Sequence, residues 1–407
     1  MISVSKLLCD LDAEGDGLRY DAAEDSRKEQ IRDRKQRRPV VVWNVTKQCN
    51  LYCDHCYAAA DTEVADGELS TAEGKAMLDG LADYGVPVVL FSGGEPLVRD
   101  DLEELIAYAD ERGVRPVLST NGTLITEDRA RSLRDAGLKY AGVSVDGLPE
   151  RNDAFRGKEG AFDAAVRGIR NSLDAGLKTG LRYTITERNA PDLTGVVDLL
   201  SDKGLDRFCF YHLDYGGRGT EILDADLTPE QRRDAVETVC DVTRDYHERG
   251  EEIETLLVGN YADAAYIVEY AREHYGEAKA RTVYEYLRTN GGDPTGERVA
   301  DVDYQGNVHL TQFWQNYSLG NVRDRSFGAI WEDESNPLLS ALRDRESRLT
   351  GKCADCAYKE VCRGGSRLRA LTVENDLFAP DPQCYLTDEE IQTPPPAMPD
   401  TGAGTAD

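Results

Sequence analysis

The chain alternates short apolar runs with longer amphipathic stretches from residue 39 to about residue 213. Six apolar runs predict β-strands, at 40–46, 86–92, 114–119, 140–145, 181–186 and 208–212. Apolar residues at every third or fourth position predict helices between them, at 71–84, 102–112, 127–136, 162–175 and 192–203. Several of these helical stretches end in glycine, as at Gly85 and Gly113, which is a common helix terminator.

This strand–helix repeat predicts an α/β fold in which a parallel sheet is built with right-handed crossovers. Six units are too few to close an eight-stranded barrel. No GxGxxG sequence opens the first helix, which argues against a dinucleotide-binding sheet. We therefore predict a partial (β/α)6 TIM-like barrel.

The domain organisation follows from changes in composition along the chain. Residues 1–38 are polar and charge-rich and are predicted to lead into the partial barrel at 39–227. Two long helical patterns predict a helical bridge over 228–299. A hairpin signal at residue 300 begins a C-terminal domain predicted to span 300–390. The final residues, 391–407, are rich in Pro, Gly, Ala and Asp and are predicted to be disordered.

Acidic residues outnumber basic ones by 76 to 48, and the net charge is -28. Such a surface repels a phosphate backbone and excludes general nucleic-acid binding. The excess, with arginine far outnumbering lysine, is typical of salt-in halophilic archaea, where abundant ions screen self-repulsion. Mean hydropathy is -0.54 and the apolar runs are short, so we predict no membrane span. The first residues lack an apolar secretory segment, and a cytoplasmic protein is expected.

Ten cysteines in such a chain indicate metal ligands more often than disulfides, and three of them follow the first predicted strand. Cys49, Cys53 and Cys56 on one loop can hold three irons of a [4Fe–4S] cube and leave the fourth iron open to a small chelating ligand. A zinc site is the alternative for this motif, with His55 as the fourth ligand.

Polar and glycine-rich residues stand where the later strands end. Because functional groups of parallel βα barrels lie at the carboxyl ends of the strands, these residues are expected to meet the cysteines on one face. Taken singly, each of these segments also fits an ordinary turn. The residues concerned are Gly93, Gly94, Glu95, Asn121, Ser144, Asp146, Tyr211, His212 and Tyr215.

A second cysteine group lies near the C-terminus. Cys353, Cys356, Cys362 and Cys384 supply four thiolates, of which the first two form a CxxC pair. This arrangement is strong evidence for a metal but does not decide which metal, and structural zinc is as compatible with the spacing as iron.

The first cysteine motif, with Tyr57 directly after it, resembles the signature of the radical S-adenosylmethionine (SAM) enzymes. The resemblance implies a [4Fe–4S] cluster with an open iron that binds SAM, and a radical that removes hydrogen from unactivated C–H bonds. Gly93, Gly94 and Glu95 match the family's Gly-Gly-Glu run, which implies a place beside the SAM amino group. By the same resemblance the residues expected near the adenosyl part are Tyr57, Asn121, Ser144 and Asp146.

The second cysteine group and the hairpin before it resemble the SPASM and twitch iron–sulfur domains of the same enzymes. This favours an auxiliary [4Fe–4S] cluster over zinc. Thr311 stands where many such domains carry a cysteine, so we predict one auxiliary cluster rather than two.

Further runs resemble the 12,18-didecarboxysirohaem deacetylases of the alternative haem pathway, among them 39–44, 208–213, 290–292 and 384–390. The implied reaction removes two acetate side chains from an iron tetrapyrrole and gives iron-coproporphyrin III, with a low-potential donor such as a ferredoxin. Substrate carboxylates require arginine forks in so acidic a chain. The candidate substrate residues are Arg182, Arg218, Arg363, Arg367, Arg369, Tyr211, His212 and Tyr215. For each arginine an ordinary ion pair is equally compatible, and for His212 a structural hydrogen bond is the simpler alternative to iron ligation.

Four alternatives stay open at this point. Enzymes of d-type haem synthesis, haem b synthases and peptide-modifying SPASM maturases share parts of the pattern. A non-catalytic iron–sulfur or zinc protein on the same fold is the alternative from another class.

Overall fold

The computed structural model describes residues 1–20 and 38–396. Within these residues eleven strands form one sheet. The strands are β1 Ile2–Ser3, β2 Val40–Thr46, β3 Val88–Gly93, β4 Arg115–Thr120, β5 Tyr140–Ser144, β6 Thr179–Ile185, β7 Arg207–His212, β8 Glu254–Val258, β9 Val299–Val302, β10 Asn307–His309 and β11 Gly320–Asn321.

Helices alternate with the strands through the first half of the chain and dominate the second half. They are α1 Val4–Cys9, α2 Asp16–Tyr20, α3 Thr71–Tyr84, α4 Leu102–Glu111, α5 Glu127–Asp135, α6 Pro149–Arg156, α7 Ala161–Asp174, α8 Leu193–Ser201, α9 Pro229–Glu248, α10 Ala262–Tyr275, α11 Glu277–Asn290, α12 Phe327–Trp331, α13 Pro337–Arg343, α14 Lys359–Cys362, α15 Arg367–Glu374 and α16 Asp388–Gln392. Among the described residues no helix is long and apolar enough to pass through a lipid bilayer.

The strand order is β1-β8-β7-β6-β5-β4-β3-β2-β9-β10-β11. Strands β2 to β8 run parallel in sequence order, as consecutive βα units should. The six predicted strands are β2 to β7, and the predicted partial barrel is confirmed. The sheet continues beyond them, because β8 adds to β7 and β9 adds to β2, both in parallel.

The sheet is buried because its strands carry apolar side chains towards the surrounding helices. In β2 the side chains of Val41, Trp43 and Val45 are fully buried, and the Trp43 ring packs against Phe91 of β3 at 5.5 Å between centroids. Helix α3 begins at a capping box formed by Ser70 and Glu73, which satisfies free amides at its N-terminus.

Two regions differ from the sequence-based prediction. Residues 1–20 are not a polar lead-in, because β1 pairs with β8 and α1 buries Val4, Leu7 and Leu8. The predicted helical bridge over 228–299 contains strand β8 between its helices. Residues 21–37, the rest of the predicted lead-in, and 397–407 of the predicted disordered tail lie outside the described residues.

The predicted hairpin at residue 300 forms from β9 and β10, which pair antiparallel. Because β9 also pairs with β2, the hairpin belongs to the same sheet as the barrel. Behind it a separate apolar cluster includes Leu310, Trp314, Leu339 and Leu368. Three cysteines of the second group, Cys353, Cys356 and Cys362, lie in the chain between Leu339 and Leu368 of this cluster, and Cys384 follows it.

Candidate active site

The carboxyl ends of the parallel strands surround one cavity, and the loop after β2 carries the first cysteine group into its wall. Its empty volume, including the part open to solvent, is about 910 Å³. Twelve residues singled out from the sequence line it: Cys49, Cys53, His55, Cys56, Tyr57, Gly93, Gly94, Asn121, Ser144, Arg182, Tyr211 and His212.

Gly93 and Gly94 bring the end of β3 into direct contact with the cysteine loop. A Cβ on Gly94 would lie 2.1 Å from the carbonyl oxygen of Gln48, and one on Gly93 would lie 2.4 Å from that of Thr46. Gly93 also has φ 125°, a conformation that favours glycine. The Gly94 amide donates to the Thr46 carbonyl at 2.7 Å, so the two glycines fix the position of the loop.

Each sulfur of the first group accepts an N–H. The donors to Cys49, Cys53 and Cys56 are, in order, Leu51 N at 3.4 Å, Arg156 Nη1 at 3.6 Å and Ala60 N at 3.4 Å. Burial raises the pKa of Cys49 to about 12, so this thiol ionises only when a metal replaces its proton. Two buried thiols and the half-buried thiol of Cys56, with N–H donors to their sulfurs, are a donor set that fits an iron–sulfur cluster.

Glu95 does not border the cavity, and the place of the Gly93–Glu95 run beside the SAM amino group stays a prediction. Its carboxylate is fully buried and accepts hydrogen bonds from the Thr120 hydroxyl at 2.7 Å and from the amides of Asn121 and Leu97 at 2.7 and 3.1 Å. Glu95 therefore fixes the end of β4 and, with it, the position of Asn121 at the cavity.

Asp146 also lies behind the cavity wall rather than on it. Its carboxylate pairs with Arg156 and accepts a bond from the Thr184 amide at 2.6 Å. His55 stacks on Phe155, and its Nε2 lies 3.7 Å from the same carboxylate. Burial lowers the pKa of His55 to about 4, so its ring is neutral. Asp146 therefore contributes to the cavity by pairing with Arg156, which lines it.

His212 and Tyr215 do not offer polar groups to a substrate. The His212 side chain is fully buried; its Nε2 lies 2.8 Å from Asp263, and its Nδ1 lies 3.2 Å from Arg232. Both ring nitrogens are therefore engaged, which favours the structural alternative over iron ligation. The Tyr215 hydroxyl donates to Asp226 at 2.6 Å and points away from the cavity lining.

Arg218 holds the cysteine loop rather than a substrate carboxylate. Its guanidinium donates to the carbonyl oxygens of Cys53 at 3.0 Å and Ala60 at 2.8 Å, and it lies over the Tyr52 ring at 4.0 Å. Its own amide donates to the Cys56 carbonyl at 3.0 Å. These contacts give Arg218 a structural role, and its role in substrate binding stays a prediction.

The three arginines near the second cysteine group are also structural. Arg363 forms a two-pronged ion pair with Glu297 at 2.6 Å and a further one with Glu346 at 2.7 Å. Arg367 is fully buried and donates to backbone carbonyls, including that of Ala379 at 2.6 Å. Arg369 pairs with Asp381 at 2.7 Å. Arg363 and Arg369 therefore form ordinary ion pairs, which was the alternative to substrate binding, and Arg367 binds backbone carbonyls instead.

The four thiols of the second group lie within electrostatic reach of one another. Burial raises the pKa of Cys362 well above its usual value, and the neighbouring Cys384, Cys353 and Cys356 raise it further. Burial raises the pKa of Cys353 to about 11. Lys352 directly precedes Cys353 and donates to the Cys384 carbonyl at 3.0 Å. This hydrogen bond links the segments that carry the first and the fourth cysteine of the group. This set of four thiols, of which Cys353 is buried and the others are half-buried, fits a second cluster.

Three predicted substrate residues lie on the cavity wall: Arg182, Tyr211 and His212. The Arg182 guanidinium lies over the Tyr211 ring at 4.6 Å. Within the described part of the chain no carboxylate comes within ion-pair distance of Arg182. A cation on a cavity wall without an ion-pair partner is a site for an anionic group.

Sequence reasoning missed three residues of the cavity wall: Arg156, Asp214 and Phe313. Arg156 ends a helix that carries no strong apolar pattern. Asp214 stands in the segment already noted after β7, so its position was available as a signal. Phe313 arrives from the hairpin, and its ring meets that of Tyr57 at 5.3 Å, a contact between distant parts of the chain.

Comparisons with known proteins agree with this geometry. The Radical SAM superfamily matches residues 43–200, and the iron–sulfur cluster-binding domain SPASM matches residues 294–357. The structure of Streptococcus suis SuiB bound to the precursor peptide SuiA is similar in fold, with a TM-score of 0.68 at 18% sequence identity over 88% of this chain and 79% of that one. The protein is a radical SAM enzyme that carries a [4Fe–4S] cluster, SAM and an auxiliary iron–sulfur cluster.

Two relatives are similar over most of their length. Fe-coproporphyrin III synthase of Methanosarcina barkeri is 46% identical over 96% of this chain and 99% of its own length. Pre-heme d1 synthase of Dinoroseobacter shibae is 38% identical over 88% of both chains. The chain therefore belongs to the radical SAM enzymes with a SPASM domain, in the group whose members act in haem biosynthesis.

Proposed function

We propose that this enzyme removes the two remaining acetate side chains of 12,18-didecarboxysirohaem and releases iron-coproporphyrin III. The relative named Fe-coproporphyrin III synthase supports this choice of product, since its similarity extends over nearly the whole chain. The substrate is a flat iron tetrapyrrole with several carboxylates, and the cavity has to neutralise at least one of them.

The unpaired Arg182 is the observation that carries the proposal. Its guanidinium is planar and permanently charged, and the Tyr211 ring holds it against the cavity. Such a fork suits a carboxylate better than a neutral or cationic group. Arg182 would hold one carboxylate of the tetrapyrrole, while the Tyr211 ring would support the cation from the opposite side.

The remaining residues of the wall bind cofactors and exclude water. We assign the first cluster to Cys49, Cys53 and Cys56 and the auxiliary cluster to Cys353, Cys356, Cys362 and Cys384. When bound, the first cluster and SAM supply a carbon radical that removes hydrogen from an unactivated C–H bond. The rings of Tyr57 and Phe313 close one side of the cavity, which keeps solvent from such a reactive species.

The proposal includes three further expectations. The electron donor is a low-potential protein of the ferredoxin type, and the enzyme acts in the cytoplasm. The acidic surface favours a salt-rich interior such as that of halophilic archaea.

The test is an anaerobic incubation of reconstituted enzyme with 12,18-didecarboxysirohaem, SAM and reductant. We expect the substrate to lose two acetate units, measured by product mass, with 5'-deoxyadenosine formed alongside. An unchanged tetrapyrrole, with rapid 5'-deoxyadenosine release, would refute this substrate and favour a d-type haem precursor, iron-coproporphyrin III as substrate, or a peptide.

A further inference from the structure

Asp214 is a buried carboxylate without a full set of partners. It follows β7 by two residues and is the one carboxylate that lines the cavity among the described residues. Its side chain is 10% exposed, and its Oδ1 is buried with no hydrogen-bond partner. Its Oδ2 lies 3.9 Å from Nη1 of Arg369, a nitrogen that also lacks a partner. This gap is too wide for a hydrogen bond.

A buried carboxylate in this position favours its neutral form. Burial raises the pKa of Asp214 to about 6, against the opposing charge of Arg369 and the Tyr215 amide. The negative charges of Asp381 and Asp293 raise it further. Both protonation states of Asp214 are therefore populated near neutrality, and the neutral form has an O–H to donate.

Other polar side chains on the cavity wall are engaged with neighbours or hold a permanent charge. The ring nitrogens of His212 lie within hydrogen-bond distance of Asp263 and Arg232, and the His55 ring stacks on Phe155. Arg182 and Arg156 are permanent cations. The Tyr57 hydroxyl donates to Asn44 at 3.0 Å.

We propose that Asp214 is the proton donor to the acetate unit that leaves the substrate. This inference rests on the proposed function. The C–C bond to the ring breaks so that one electron stays on the ring, where it pairs with the electron left by hydrogen abstraction. The leaving two-carbon unit takes the other electron, one further electron from the ferredoxin-type donor and the proton of Asp214, and departs as acetate. Solvent then reprotonates Asp214.

The test compares Asp214→Asn with wild type and with Asp224→Asn, which removes an exposed carboxylate from the same segment. Each protein is reconstituted, and its iron content and circular dichroism are matched to wild type. Acetate release and 5'-deoxyadenosine formation are then measured from about pH 5 to 8. Infrared difference spectra over the same range follow the C=O band of the protonated carboxyl.

We expect Asp214→Asn to release acetate about 100-fold more slowly or worse, which is the usual contribution of a general acid. The wild-type rate of acetate release should fall as the pH rises through the pKa of Asp214, because only the protonated form donates. The infrared band of the carboxyl group should titrate over the same pH range and be missing from Asp214→Asn. Asp224→Asn should match wild type, and Asp214→Glu should recover part of the rate.

The inference is overturned if Asp214→Asn keeps the wild-type rate of acetate release and its pH profile, or if no carboxyl band disappears in the variant. These results leave the proposed function intact. If wild-type enzyme releases no acetate at any pH, the proposed function fails first and the inference fails with it. The two failures are therefore distinguishable.

Discussion

Replacing Gly94 with alanine should displace the cysteine loop and remove one cluster. The new Cβ would lie 2.1 Å from the Gln48 carbonyl oxygen and 2.8 Å from that of Lys47, where ordinary contact begins at 3.4 Å. Both neighbours are backbone atoms, so the loop itself has to move by about 1 Å. That movement breaks the hydrogen bond from the Glu95 amide to Gln48, now 2.8 Å long.

Overpacking costs about 1–3 kcal/mol and the lost hydrogen bond about 1 kcal/mol, so Gly94→Ala should lower the free energy of unfolding by about 2–4 kcal/mol. Because Cys49 follows Gln48 directly, the first cluster should fail to assemble while the auxiliary one still forms. Iron per chain after anaerobic reconstitution should fall to about half. The assay is iron and labile sulfide analysis, combined with denaturant unfolding.

Gly80→Ala is the matched control. Gly80 lies within α3, and the nearest atom to its added Cβ is the Phe327 amide nitrogen at 3.9 Å, an ordinary contact. This change should raise stability by about 0.5–1 kcal/mol and leave the iron content unchanged. A Gly94→Ala protein with full iron and an unaltered spectrum of the first cluster would refute the reasoning that close approach of β3 holds the loop.

Three further results are expected. Arg182→Met should weaken tetrapyrrole binding by about 10- to 100-fold in a spectroscopic titration, because a charged hydrogen bond is lost. The control Arg131→Met, on the exposed face of α5, should bind as wild type does. Equal affinities of the two variants would contradict the role of Arg182. Burial lowers the pKa of His309, but Asp303, Asp301 and the Tyr317 carbonyl more than offset this and raise it. The His309–Asp303 pair should therefore stabilise the protein fully below about pH 6.5 and progressively less as the pH rises through the folded-state pKa of His309. If the melting temperature of His309→Asn parallels that of wild type at every pH, this role of the pair is wrong. The net charge of -28 should make the melting temperature rise with KCl concentration, since salt screens self-repulsion, and a flat salt profile would count against this.

The strand pattern was sufficient to predict the barrel because each strand from β2 to β7 reads as a compact apolar run. Strand β8 was not predicted because it begins with two polar residues, Glu254 and Thr255, which leaves only a short apolar run although both are buried. Strand β1 has two residues and exists only through its pairing with β8. Short elements of this kind depend on tertiary contacts that no local pattern contains.

The residues of the candidate site were likewise predictable where the signal is local and not where it depends on tertiary contacts. Cys49, Cys53 and Cys56 were identified because their spacing is local, and Arg182 because it stands on a strand near the cavity. Arginines at the right positions proved to serve other partners, such as Arg369 with Asp381, since sequence gives no information on which carboxylate a long side chain reaches. The sequence likewise gives no direction for the Glu95 side chain: its neighbour Gly94 borders the cavity, but its carboxylate accepts a hydrogen bond from Thr120 of β4.

The pairing of β9 with β2 has a consequence for electron transfer. Four residues of each strand are in register, from Val40 opposite Val299 to Trp43 opposite Val302, so the start of the C-terminal domain is hydrogen-bonded to the strand that leads into the first cysteine group. Tunnelling rates fall steeply with separation. Because these main-chain bonds oppose a hinge between the barrel and the start of the C-terminal domain, they should also limit variation in the rate of any electron transfer between the two clusters.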